Sequence, residues 1–93
     1  MRFDCGKFAG ITPEELLGMN EDRYLQFVST CDEWKNKEML RYVRSRIVKD
    51  THIQFGKYKD SPLHHIKNNH ESYWNWLLQL SDNDPRLGYL RYV

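Results

Sequence analysis

Two stretches of the chain carry apolar residues at the spacing of an amphipathic helix. These residues are Tyr73, Trp76, Leu77 and Leu80 in the second half, and Tyr24, Phe27 and Val28 in the first. Positions i, i+3, i+4 and i+7 share one helical face, and such a face is normally buried against a core. The pattern therefore predicts one core-facing helix in each half.

Capping residues mark a preceding short helix in each half. Thr12 is followed by Pro13 and then by Glu15, which is the arrangement of an N-cap, a first helical proline and a capping-box acid. Ser61 and Pro62 repeat the cap and the proline in the second half. Similar cap signals at residues 30–33 and 81–84 predict a last helix in each half, the first of which runs on to about residue 49.

Short alternating runs open each half. Residues 2–5 and 52–55 alternate apolar and polar side chains, and Gly6 and Gly56 follow them. Alternation is typical of a half-buried strand, and a glycine is typical of a turn. These runs predict a small β-hairpin that needs helices packed on it for stability.

The two halves repeat each other. With a shift of 50 positions, residues 6–8 coincide with 56–58 and residues 40–43 with 90–93, while a shift of 49 aligns residues 24–28 with 73–77. Collinear matches favour a tandem duplication. We predict copy one at residues 1–43, a helical connector at 44–50 and copy two at 51–93. The predicted fold is α+β, with two ββαα repeats packed into one compact pseudo-symmetric domain.

Composition restricts the class of protein. The chain has 93 residues and a net charge of +1, and 40% of it is apolar. No stretch approaches the roughly 20 apolar residues of a membrane span, and no signal peptide is visible. Cys5 and Cys31 are too few for a disulfide framework. We therefore expect a cytoplasmic protein.

One stretch of the second half resembles a known domain. The segment 53–59 reads IQFGKYK, and residues 73–77 read YWNWL. This is similar to the pattern F-G-K-Y-K followed by Y-L-x-W-L in the C-terminal domain of exodeoxyribonuclease X-type exonucleases and in small bacterial and phage proteins of uncharacterised role. The matching positions are Phe55, Gly56, Lys57, Tyr58, Lys59, Leu63, Ile66, Tyr73, Trp76 and Leu77.

The first half matches this pattern more loosely, and Asp60 stands where the pattern has glycine. The resemblance implies a non-catalytic accessory module in nucleic-acid metabolism. The acidic metal-binding motifs of the exonuclease domain have no counterpart in the sequence, so nuclease activity is not implied.

A local excess of basic residues is the candidate nucleic-acid site. Between residues 41 and 59 there are six basic residues and one acid, and basic clusters neutralise phosphates. Lys7 belongs to the Gly-Lys-aromatic turn of the first half. The predicted nucleic-acid-binding residues are Arg41, Arg44, Arg46, Lys49, Lys57, Lys59 and Lys7. The alternative for each is a solvated surface charge.

Tryptophans beyond the helical face are the candidate partner site. Trp74, Leu78 and Trp34 could pack against the other copy or form an exposed patch for a partner.

The four histidines lack the spacing of zinc ligands, and the carboxylate pairs at helix starts are explained by capping. We expect no metal, no cofactor and no enzymatic activity. The predicted function is binding of DNA, or of a DNA-processing protein. The alternative is a protein–protein adaptor or an inhibitor of a host enzyme, possibly phage-encoded.

Overall fold

The computed structural model describes residues 1–4 and 6–93, and the regular structure in these ranges is helical. The α-helices are α1 (Pro13–Gly18), α2 (Asp22–Ser29), α3 (Lys37–Tyr42), α4 (Leu63–Asn69) and α5 (Glu71–Asn83). A π-helical turn (Val43–Ile47) and a 3-10 turn (Val48–Asp50) continue α3, and a 3-10 helix (Pro85–Tyr92) ends the chain.

The predicted α+β class is wrong, because the described residues form an all-α fold without a β-sheet. In the first half, Phe3 alone pairs across the loop: its N–H donates to Ile11 at 2.9 Å, and its carbonyl accepts from Gly10 at 2.7 Å. In the second half, His52 and Pro62 form a single isolated antiparallel bridge. The chain turns too soon to extend either pairing into a ladder. Cys5, which the hairpin prediction included, lies outside the described residues.

Both halves close this opening loop with the same backbone hydrogen bonds. Ile53 donates to Ser61 at 3.0 Å, and its carbonyl accepts from Asp60 at 2.9 Å, which repeats the pairing of Phe3 at a shift of 50. Gly10 and Asp60 have φ angles of +87° and +71°. Asp60 therefore adopts the same left-handed conformation as Gly10, its counterpart in the first half. Asp tolerates this region better than most residues. The origin by duplication, and the boundaries at 43 and 50, stay a prediction.

The helix starts follow the cap signals in part. The hydroxyl of Thr12 accepts from the N–H of Glu15 at 3.0 Å, so the predicted cap of α1 is confirmed. Ser61 does not cap α4, which begins at Leu63 without a side-chain cap. The last helix of the first half is capped by Asn36 rather than near residue 30.

Both halves contribute to one core. Its fully buried members include Leu16, Leu25 and Val28 from α1 and α2, and Ile53, Ile66 and Leu77 from the second half. The C-terminal 3-10 helix packs on both α2 and α5, and a groove lies between this 3-10 helix and α2. In the described ranges, no helix has the length and hydropathy to span a membrane.

Candidate nucleic-acid interface

The Gly-Lys-aromatic turn has the same geometry in both halves. Gly6 and Gly56 each have a φ of +85°, a region that favours glycine. A Cβ at Gly6 would lie 3.2 Å from the Tyr24 hydroxyl, and a Cβ at Gly56 would overlap the Tyr73 hydroxyl. Each glycine thus lets a tyrosine, from α2 in the first half and from α5 in the second, pack directly against the turn backbone.

A lysine and an aromatic ring lie next to each of these tyrosines. The Lys7 ammonium lies 5.3 Å from the centre of the Phe8 ring, and the Lys57 ammonium lies 5.5 Å from the centre of the Tyr58 ring. Each ring makes an edge-to-face contact with its tyrosine, at a centroid distance of 4.8 Å in both halves. This arrangement places an exposed positive charge beside a small aromatic cluster in each half.

The outermost ring of each cluster faces solvent. Phe27 on α2 is 58% exposed and Trp76 on α5 is 48% exposed, although the helical periodicity predicted both on the buried face. They occupy corresponding positions at the shift of 49. Phe27 lies 6.4 Å from Tyr24, and Trp76 lies 5.3 Å from Tyr73, measured between ring centroids. These two equivalent exposed rings are candidates for contact with another molecule.

A groove of about 780 Å³ lies between α2 and the C-terminal 3-10 helix, with one residue from α5, and we call it the α2–α5 groove. Its lining residues are Arg23, Gln26, Phe27, Thr30, Gln54, Phe55, Leu80, Asp84, Pro85, Arg86, Leu87 and Tyr89. Trp76 lies one helical turn before Leu80, on the same face of α5. Phe27 therefore lines the groove, whereas Trp76 lies outside its lining, on the same helix as Leu80.

Two arginines and one acid line the groove: Arg23, Arg86 and Asp84. Arg86 is exposed and forms a bidentate pair with Asp84 at 3.0 and 3.1 Å. This pair lowers the pKa of Asp84 and raises that of Arg86. Burial raises the pKa of Tyr89 to about 12, while the nearby charge of Arg23 acts in the opposite direction. Tyr89 is therefore a neutral hydroxyl at physiological pH, and Arg23 is an exposed cation of the groove.

The predicted basic patch is not a single free surface, because Arg44 is used inside the fold. Its Nε donates to the Ser29 carbonyl at 2.8 Å, and its guanidinium pairs with Asp32 at 2.7 Å. The same guanidinium lies 4.5 Å from the centre of the Tyr92 ring. Arg44 therefore joins α2, the π-helical turn and the C-terminus.

The other predicted basic residues are exposed, but they belong to different elements. They are Arg41 on α3, Arg46 on the π-helical turn, Lys49 on the following 3-10 turn, Lys57 and Lys59 on the second glycine turn, and Lys7 on the first. Arg46 also lies near the hydrogen-bonded pair of Tyr42 and Glu14, and that bond raises the pKa of Tyr42 and lowers that of Glu14.

The predicted partner residues contribute to packing. Trp74 is only 5% exposed and belongs to the core, and Leu78 is half-buried. Trp34 is half-buried and makes edge-to-face contacts with Phe3 at 5.9 Å and Tyr24 at 6.5 Å. Trp74 therefore cannot serve as an exposed anchor, and the exposed tryptophan of α5 is Trp76.

Histidines of the second half add polar rings beside its aromatic cluster. His70 stacks on Tyr58 at a centroid distance of 4.2 Å, and His65 contacts His70 edge to face at 5.7 Å. Across residues 1–4 and 6–93, no group of three or more His, Cys, Asp or Glu side chains has the geometry to hold a metal ion.

Groove residues such as Arg23, Phe27 and Arg86 were not among the sequence-predicted site residues. The available signal was the pair of bulky aromatics, Phe27 and Trp76, at matching positions of the repeat.

Comparison with family models, with curated proteins and with solved structures gave no significant match. The resemblance to the exonuclease-associated domain therefore stays a prediction.

Proposed function

We propose that the protein binds single-stranded nucleic acid across the α2–α5 groove, as a non-catalytic accessory module of nucleic-acid metabolism in the cytoplasm. The observation that carries this proposal is the pair of exposed aromatic rings, Phe27, which lines the groove, and Trp76, which lies one turn before the groove residue Leu80 on α5. Unpaired bases stack on such rings whatever their sequence.

Charge supports the same ligand. Arg23 lines the groove, where it can neutralise a phosphate of a bound strand, whereas the Arg86 guanidinium is already paired with Asp84. Lys7 and Lys57 lie beside the two aromatic clusters and can extend this contact. The net charge is only +1, so attraction of phosphate is confined to these positions rather than spread over the whole molecule.

Single strands suit this surface better than a duplex. In a duplex the base faces are stacked inside the helix, so an exposed ring can stack on them only after distorting the DNA. In a single strand the faces are accessible, and each stacked base contributes about 1–3 kcal/mol.

Fluorescence anisotropy of a labelled oligothymidylate tests the proposal. We expect binding that weakens as salt increases, weaker binding to a duplex of the same length, and about tenfold losses of affinity for Phe27→Ala and Trp76→Ala, which corresponds to the lower part of the stacking range. Met19→Ala is the matched control, because Met19 is also a large exposed apolar residue but lies at the end of α1, on neither α2 nor α5. No binding at low salt, or equal losses for all three variants, would contradict the proposal.

The same surface also suits the predicted alternative, which is an adaptor or inhibitor that binds a protein. Exposed aromatic residues also anchor protein interfaces. In that case the aromatic variants would leave any weak oligonucleotide binding unchanged.

A further inference from the structure

Polar groups of Gln26, Gln54 and Tyr89 line the α2–α5 groove together with apolar side chains. Gln26 belongs to α2, Gln54 lies near the start of the second half, and Tyr89 belongs to the C-terminal 3-10 helix. The apolar lining residues are Phe27, Phe55, Leu80, Pro85 and Leu87. Apolar walls with a few placed polar groups are typical of a site that fixes the orientation of a small ligand or of one group of a larger one.

The hydroxyl of Tyr89 is an unused hydrogen-bonding group in this groove. Tyr89 is only 4% exposed, yet its hydroxyl has no hydrogen-bond partner within the described ranges. The buried polar side-chain atoms of those ranges that are both unbonded and sealed from solvent are Asp22 Oδ1 and the Tyr73 hydroxyl, so the Tyr89 hydroxyl is accessible. Burial raises its pKa, and the charges of Arg23 and Asp84 act on it in opposite directions. A buried tyrosine hydroxyl normally has a partner, and a ligand in the groove can supply one.

The carbonyl of His52 orients the two glutamine amides. It accepts from Nε2 of Gln26 at 3.1 Å and from Nε2 of Gln54 at 2.8 Å. The Gln26 nitrogen also donates to the Thr51 hydroxyl at 3.0 Å, which accepts because its own proton goes to the Val48 carbonyl at 2.6 Å. Both amide nitrogens are therefore committed to the fold. Both amide oxygens are left as acceptors, and neither is bonded or sealed from solvent in the part of the chain that the structure describes.

We infer that the α2–α5 groove binds one unpaired base of the strand and prefers a base with an exocyclic amino group to thymine or uracil. This inference rests on the proposed function and names the feature of the strand that the groove recognises. The amino group of such a base can donate to the amide oxygens of Gln26 and Gln54, and the ring nitrogen beside it can accept from the Tyr89 hydroxyl.

Thymine and uracil match these groups less well. They carry a carbonyl oxygen where cytosine carries its amino group. In the groove that oxygen would face the amide oxygens of Gln26 and Gln54, and an acceptor that meets another acceptor is left without a donor. The groove therefore discriminates at one edge of the base.

The rest of the lining suits the parts of a nucleotide that all bases share. Every base has a face that can stack on an aromatic ring, so contact with Phe27 alone does not discriminate among bases. Arg23 is exposed and forms no ion pair within residues 1–4 and 6–93, so it can hold a neighbouring phosphate. Stacking and charge thus supply affinity, and the hydrogen-bonding groups supply the preference.

Two oligothymidylates of equal length test the inference. One carries a single central deoxycytidine and the other a single central deoxyuridine, so that an amino group in the first stands where the second has a carbonyl oxygen. Competition with labelled oligothymidylate, followed by fluorescence anisotropy, measures both affinities. We expect the wild-type protein to bind the deoxycytidine strand about fivefold more tightly, because the strand can shift until its cytosine occupies the groove and gains hydrogen bonds there.

Tyr89→Phe is the decisive variant, because it removes the hydroxyl and keeps the ring. It should lose most of the preference for deoxycytidine while its affinity for the all-thymidylate strand stays unchanged. Gln54→Met keeps the length of the side chain and removes the amide, and it should lower the preference as well. Tyr92→Phe is the matched control, because Tyr92 belongs to the same 3-10 helix but does not line the groove, and it should keep the wild-type preference.

Equal affinities of the wild-type protein for the two strands, or tighter binding of the deoxyuridine strand, would overturn the inference. A preference that survives both Tyr89→Phe and Gln54→Met would also overturn it. These results leave the proposed function in place, since the strands still bind. The absence of binding to any strand would overturn the proposed function and the inference together.

Discussion

The carboxylate of Asp22 accepts both the backbone N–H and the ring N–H of His52, at 2.7 and 2.6 Å. The amide of Gln26, one turn further along α2, donates to the Thr51 hydroxyl at 3.0 Å and to the His52 carbonyl at 3.1 Å. Two polar side chains of the first half therefore hold the start of the second half in place.

Asp22→Asn should lower the free energy of unfolding by about 2 kcal/mol, because hydrogen bonds to a buried charged group contribute about 1.5–3 kcal/mol. Urea denaturation measures this change. Glu33→Gln, at an exposed acid without such bonds, is the control, and an equal effect of the two substitutions would show that the contact to His52 contributes nothing.

Substitution of the two turn glycines should have unequal effects. Both Gly6→Ala and Gly56→Ala place a side chain in the left-handed region, which costs about 1–2 kcal/mol. Only the Cβ at Gly56 overlaps the hydroxyl of Tyr73, so Gly56→Ala should be the more destabilising by thermal denaturation. Tyr73→Phe should reduce the difference, and it should itself be tolerated, because that hydroxyl is buried without a partner among the described residues. Equal destabilisation at both glycines would contradict this account of the turns.

Substitution of Arg44 should affect the stability of the fold, and substitution of Arg23 should affect oligonucleotide binding. Arg44→Gln removes the contacts to Ser29, Asp32 and Tyr92, and we expect a loss of stability without a change in the salt dependence of oligonucleotide binding. Arg23→Gln should leave the stability unchanged and change the salt dependence of binding. It should lower the slope of log affinity against log salt by about 0.7, the value for one phosphate contact of a single strand. If only Arg44→Gln changed this slope, the result would favour the basic patch that the sequence predicted as the binding surface.

Stability should fall between pH 10 and pH 12 through Tyr89. Burial raises its pKa to about 12 in the folded chain, whereas an unperturbed tyrosine has a pKa near 10. Below pH 10 the hydroxyl is protonated in both states, so its contribution is fully present. Above pH 10 only the unfolded chain releases the proton, and about 2 kcal/mol is lost by pH 12, at about 1.4 kcal/mol per pKa unit. Tyr89→Phe should flatten this part of the stability profile, and an unchanged profile would contradict the assigned burial.

The sequence predicted helices more reliably than it predicted their faces. The periodicity correctly placed α2 and α5, and it correctly predicted Leu77 in the core. It wrongly placed Trp76 on the buried face and Trp74 off it, because both residues are large and apolar and the spacing alone does not show which side of the helix is covered. Burial of Trp74 depends on what packs there, and this is decided by distant parts of the chain.

The sequence pattern did not predict the buried polar residues or the groove, for a similar reason. Nothing in the local sequence marks Asp22 and Gln26 as buried, and they are buried because residues 51 and 52 supply their hydrogen-bond partners. The strand prediction failed because a run of four alternating residues does not show whether a second run will pair along its whole length. Phe3 and Ile53 each pair around a single turn instead.

The most direct test of the groove is the quenching of tryptophan fluorescence by an unlabelled single strand. If bases stack on Trp76, wild-type emission should fall on titration with oligothymidylate. Trp76→Phe should lose most of that quenching while anisotropy still detects binding, because phenylalanine also stacks. Quenching that persists in Trp76→Phe, or a complex that forms without any quenching in the wild type, would contradict the account.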